Sequence, residues 1–166
     1  MIVIKKYGFY LISFLIFIFI LTSVYFMKEN CIQFILKRYA DVVELFFNNR
    51  HIYITGIGYV DANHTYTIGR NCLGNNFVSL LFIFNCFAFL KNFNGLKKLL
   101  WIFLCLVFSI IIGFIVNCMR LISSIPFAQS IKFNLIHATI GVAIYLFTIV
   151  LVYGILKKRF ERREYV

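Results

Sequence analysis

The chain has 166 residues, 62% of them hydrophobic and 19% aromatic, with a single proline; a soluble domain of this size has too little polar surface to cover so apolar a composition. A formal charge of +11 would mark a nucleic-acid partner if it formed one folded face. The basic residues instead sit beside apolar runs, and the polar remainder is too short for a separate nucleic-acid domain, so no nucleic acid is expected. The composition predicts an all-α integral membrane protein, a single membrane domain over residues 1–166 whose partner is the lipid bilayer.

Lys5 and Lys6 precede an apolar run over residues 7–27, long enough at about 1.5 Å per residue to cross a hydrocarbon core of about 30 Å. The run is longer than a signal-peptide core and no small-residue cleavage site follows it, which predicts a retained transmembrane helix. An outer segment, 28–71, comes next. Within it Ile32, Ile35, Leu36, Tyr39, Val42, Val43 and Phe46 keep helical spacing while Lys37, Arg38, Asp41 and Glu44 take other faces, predicting an amphipathic helix on the membrane surface or against neighbouring helices. Residues 51–68 are rich in β-formers around Asp61-Ala62-Asn63-His64, which predicts a small β-hairpin. His51 and His64 read as exposed loop histidines.

Three further apolar runs follow, about 73–90, 99–118 and 137–156, with Asn134 as the expected cap of the last. Four spans put the N-terminus, residues 91–98 and the C-terminal tail on one side. That side holds Lys5, Lys6, Lys91, Lys97, Lys98, Lys157, Lys158, Arg159, Arg162 and Arg163 in very short segments, and the positive-inside rule makes it cytoplasmic. The expected location is the plasma membrane, multi-pass, with both termini inside.

This topology brings three junction residues to the outer face: Cys72 where the second span begins, Arg120 where the third ends and His137 where the fourth begins. A thiolate nucleophile is favoured at a helix N-terminus or beside a cation, an imidazole there serves as general base, and an arginine holds an oxyanion or carboxylate. The expected catalytic set is therefore Cys72, Arg120 and His137. Each also has a structural reading, as inert thiol, snorkelling cation and helix cap. Cysteines at 31, 72, 86, 105 and 118 follow no metal-ligand spacing and no CxxC, so neither a metal, a cofactor nor a disulfide framework is indicated.

The order Cys72-Leu73-Gly74, then Asn117-Cys118-Met119-Arg120, then His137-Ala138-Thr139-Ile140-Gly141 resembles the exosortase/archaeosortase family, over roughly the last two-thirds of the chain. Its shortness resembles the compact, exosortase K-like members; Leu73 stands where family members often have Ser. The resemblance implies a membrane-embedded cysteine protease or transpeptidase acting at the outer face on exported proteins. Such substrates bear a C-terminal sorting signal made of a motif, a transmembrane span and a basic tail. It further implies Cys72 as nucleophile, His137 as acid/base, Arg120 as stabiliser, and Gly74, Asn117 and Gly141 as supporting residues. A non-catalytic membrane scaffold and a thiol-disulfide exchange protein are the alternatives from other classes.

Overall fold

The computed structural model describes residues 2–164. The side chains of Lys5, Lys6, Arg162 and Arg163, counted in the charge argument above, lie outside the described residues. Helix α1 (Ile2–Phe26) is followed by α2 (Glu29–Phe47) and by strands β1 (His51–Ile54), β2 (Gly58–Asp61) and β3 (Thr67–Ile68). A 3-10 turn (Arg70–Leu73) then leads into α3 (Asn75–Phe89), α4 (Leu96–Ser124) and α5 (Phe133–Glu164). Four stretches are helical, long and apolar enough to cross a membrane: Tyr7–Phe26, Arg70–Asn92, Leu96–Phe127 and Phe133–Glu161. Helix α3 is the centre of the bundle, packed on α1 and α4, and α5 packs on α4. Gly113 of α4 lies against Val78 of α3, where a β-carbon would collide with the valine side chain; the missing side chain is what lets the two helices approach.

Helix α2 packs its apolar stripe inward, as its spacing requires. Ile32, Leu36, Tyr39, Ala40 and Val43 are buried in a cluster with Tyr59, Tyr66, Ile68, Leu73, Cys118 and Leu121. Phe46, expected on that face, is exposed in the last turn of the helix.

Four boundaries differ from the sequence expectation. The hairpin is a three-stranded antiparallel sheet, with His51 opposite Asp61, Ile54 opposite Gly58 and Tyr59 opposite Ile68. Its second turn is closed by the Asp61 carboxylate, which accepts the Thr65 N–H at 2.6 Å, the Tyr66 N–H at 3.1 Å and the Thr65 hydroxyl at 3.0 Å. Helix α3 begins two residues later than the apolar run, after Gly74 in the left-handed conformation (φ 72°). Helix α4 continues past Arg120 because Leu121 and Ile122 keep the apolar pattern. It stops just before Pro126, which has no N–H to extend the ladder. Helix α5 begins at Phe133, so Asn134 lies inside its first turn rather than capping it. The start is organised by Ser130, whose hydroxyl oxygen accepts the Lys132 N–H at 3.3 Å and whose carbonyl accepts that of Phe133 at 3.0 Å.

Candidate functional site

Cys72 sits in the 3-10 turn, two residues ahead of the residue that caps α3. The expectation of a thiol at the helix N-terminus is corrected accordingly: Gly74 takes the cap position, and the first-turn N–H groups of Phe77 and Val78 point to its carbonyl at 2.9 and 3.0 Å. The turn is tied down on three sides. Its own Cys72 N–H donates to the Gly69 carbonyl at 2.8 Å. The Tyr39 hydroxyl of α2 donates to the Leu73 carbonyl at 3.2 Å, and the Asn117 side-chain amide of α4 donates to the Cys72 carbonyl. Burial pushes the Tyr39 phenol up to about 12, which keeps it a neutral donor.

Asn117 is fully buried, and its other amide atom, Oδ1, accepts the Tyr145 hydroxyl of α5 at 2.9 Å. One amide therefore joins the cysteine turn, α4 and α5. Gly74 has two reasons to be glycine: its φ is positive, and a β-carbon there would lie 3.0 Å from the Asn117 side chain. The Tyr145 ring stacks on Phe77 of α3 at 4.2 Å between centroids, and the Arg120 guanidinium lies 5.5 Å from the same ring, within the range of a cation–π contact. A β-carbon at Gly141 would come within 2.9 Å of Arg120 Cδ, so the absence of a side chain lets Arg120 lie across α5.

Arg120 is half-buried, and its Nε has no hydrogen-bond partner among the described residues. The other nearby arginine is committed elsewhere. Arg70 pairs with Glu29 at 3.0 Å, and Glu29 also accepts the Tyr53 hydroxyl and the Gly56 N–H. The Tyr53 hydrogen bond above all, then the Gly56 N–H and Arg70, hold the Glu29 carboxyl below the ordinary carboxylate range. The same bond pushes the Tyr53 phenol up to about 12.

His137 lies in the second turn of α5, not at its start. Its Nδ1 meets the buried Ser124 hydroxyl at 2.8 Å. That ring nitrogen is turned to the serine rather than to the Cys72 thiol, which packs against the buried cluster shared by α2, the sheet and α4.

A cleft of about 390 Å³ opens between α1, the cysteine turn, α4 and α5, lined by Arg70, Asn71, Gly74, Asn75, Arg120 and Tyr145 among others. Cys72 and His137 do not line it. Cys72 lies in the chain between two residues that do, Asn71 and Gly74. Beside the cleft, meeting it at Asn75, is an apolar groove of about 890 Å³ between α1, α2 and α4. Among the described residues no three His, Cys, Asp or Glu side chains cluster as metal ligands would.

Of the six residues expected from sequence, the structure joins Cys72, Gly74 and Asn117 and lays Arg120 against Gly141, while His137 is joined to Ser124 rather than to Cys72; Tyr39, Ser124 and Tyr145 are the polar partners that sequence reasoning missed. Two helix faces contain the missing signal: Asn117, Arg120 and Ser124 at i, i+3, i+7, and His137, Gly141 and Tyr145 at i, i+4, i+8. No family model matches the chain, and no curated protein or solved structure is significantly similar to it.

Proposed function

We propose that the chain is an exosortase-like cysteine protease or transpeptidase of the plasma membrane, acting at the outer face on exported proteins with a C-terminal sorting signal. The observation that carries this reading is the buried Asn117 amide, which ties the Cys72 turn to α4 and α5 beside an arginine with no acidic partner among the described residues. A bundle of apolar helices has no packing need for such a group, whose burial is offset only because both ends of the amide are hydrogen-bonded.

In this account the Cys72 sulfur attacks the carbonyl carbon of the scissile peptide, and the thiol proton passes to His137 Nε2. Arg120 stabilises the oxyanion of the tetrahedral intermediate. As the C–N bond breaks, the imidazolium returns its proton to the leaving amine, and the acyl group remains on Cys72 as a thioester. Water, or an acceptor amine, then attacks that carbonyl; the C–S bond breaks and the thiol is restored. The cleft beside Arg120 accepts the motif, and the adjoining apolar groove seats the substrate's apolar span. The cationic ends of the helices near Lys91, Lys97 and Lys98 fix the orientation that faces the site outward.

A second reading, a non-catalytic membrane scaffold, is favoured by one observation: the Cys72 thiol packs against the buried cluster and does not line the cleft. Comparison of the C-termini of all exported membrane proteins in source cells making the wild type or Cys72→Ala separates the two. The proposed activity predicts a set of proteins shortened at their C-termini in the wild type and full-length in the variant, with equal amounts of the chain in the membrane. Identical C-termini in both would leave the scaffold.

A further inference from the structure

Ser124 is buried, 1% exposed, on the face of α4 that carries Asn117 and Arg120. Its hydroxyl makes two contacts: 3.1 Å to the carbonyl of Leu121 one turn earlier, and 2.8 Å to His137 Nδ1. A serine hydroxyl has one proton and two lone pairs. Back-bonding to the preceding turn is the usual use of that proton in an apolar helix, and it leaves only lone pairs facing the imidazole. A contact of 2.8 Å then requires the proton of the neutral ring to be on Nδ1, with the lone pair on Nε2. Free neutral histidine prefers the opposite tautomer.

We infer that Ser124 is a positioning residue that locks His137 with its proton on Nδ1, so that Nε2 presents the lone pair to the reaction. The inference rests on the proposed role of His137 as the acid/base. It assigns Ser124 the part that a third group plays in nucleophile–base pairs, fixing ring orientation and tautomer without touching the substrate. A neutral hydroxyl serves this purpose where a carboxylate would be costly, because the site lies at the end of two long apolar helices.

The test is nitrogen-15 NMR of the full chain, labelled at histidine and reconstituted in lipid, at about pH 8, above the ordinary range for histidine titration. The His137 resonances are those absent from His137→Gln. The expected wild-type spectrum shows the proton on Nδ1; in Ser124→Ala it moves to Nε2 or the two tautomers exchange, while Ser124→Thr keeps the wild-type pattern. Cleavage should fall about 10- to 100-fold in Ser124→Ala, the usual loss when an orienting partner is removed, and recover in Ser124→Thr. A proton on Nε2 in the wild type, or an unchanged tautomer in Ser124→Ala, overturns the inference whatever the activity. A locked tautomer in a chain whose wild type and Cys72→Ala variant give identical C-termini would instead sink the proposed reaction and leave the lock standing.

Discussion

The two ends of the bundle are held together by different forces. At the end that carries the sheet, single polar side chains cross between elements: Tyr39 to the Leu73 carbonyl, Asn117 to the Cys72 carbonyl, Tyr145 to Asn117, His137 to Ser124, and Asn75 to the Ile20 carbonyl of α1 at 3.1 Å. At the end that carries Lys91, Lys97 and Lys98, contact is made by rings. Trp101 meets Phe93 at 4.8 Å, Phe160 at 5.5 Å and Phe89 at 6.3 Å, and Phe89 stacks on Phe160 at 5.0 Å. The Trp101 indole N–H is buried without a partner among the described residues. Rings that interlock in any of several arrangements suit a purely structural closure. Directional bonds that fix one backbone turn suit a site whose atoms have to be placed.

That contrast is best broken by substitutions that separate processing from stability. The largest effect is expected at Arg120. Lysine keeps the charge and reaches polar surroundings, but it loses the planar fork and the contact with the Tyr145 ring. Arg120→Lys is therefore expected to accumulate normally and to process substrate at least about 10²-fold more slowly, the usual loss on removing one oxyanion donor. Paired quantification of the inserted chain and of cleaved substrate checks this, and near-normal cleavage would remove Arg120 from the reacting set.

Trp101→Leu should do the reverse. Losing three ring contacts costs on the order of 2 kcal/mol, seen as earlier thermal unfolding of the reconstituted chain, while cleavage per folded molecule stays at the wild-type level. A selective loss of cleavage would mean that the ring end takes part in the site. The smallest effect is expected for Tyr145→Phe, which keeps the stack on Phe77 but leaves Asn117 Oδ1 without its donor. The expected cost is about 1 kcal/mol, read as a roughly fivefold fall in cleavage rate. A fall as deep as that for Arg120→Lys would make the hydroxyl itself a reacting group.

Helices, and the face that each turns inward, are legible in this sequence because long apolar runs and a 3.6-residue period can be read from local residues alone. Ile32, Leu36, Tyr39 and Val43 were readable that way and are buried. Polar residues at run ends, such as Cys72, Arg120 and His137, stand out against an apolar background. Ser124 and Tyr145 do not, because a serine or a tyrosine inside an apolar stretch changes hydropathy little; only their spacing from Arg120 and His137 ties them to the site. The arm after Asp61-Ala62-Asn63-His64 was legible from its β-formers and is β3, paired with β2; the turn that divides the arm before it into β1 and β2 was not, because it is set by Gly56 and Gly58 at positive φ inside a β-forming stretch. Helix ends were misplaced where a glycine or a serine turn, rather than a change of hydropathy, set the boundary, as at Gly74 and Ser130.

The proposal stands or falls on covalent chemistry at one sulfur. The direct measurement is the mass of the Cys72-bearing peptide, taken from source-cell membranes that are actively processing exported proteins and quenched in acid. The account predicts a fraction carrying an acyl group whose sequence ends at the cleavage site, released by neutral hydroxylamine as a thioester is. Cys72 unmodified in every sample while processing continues would contradict it.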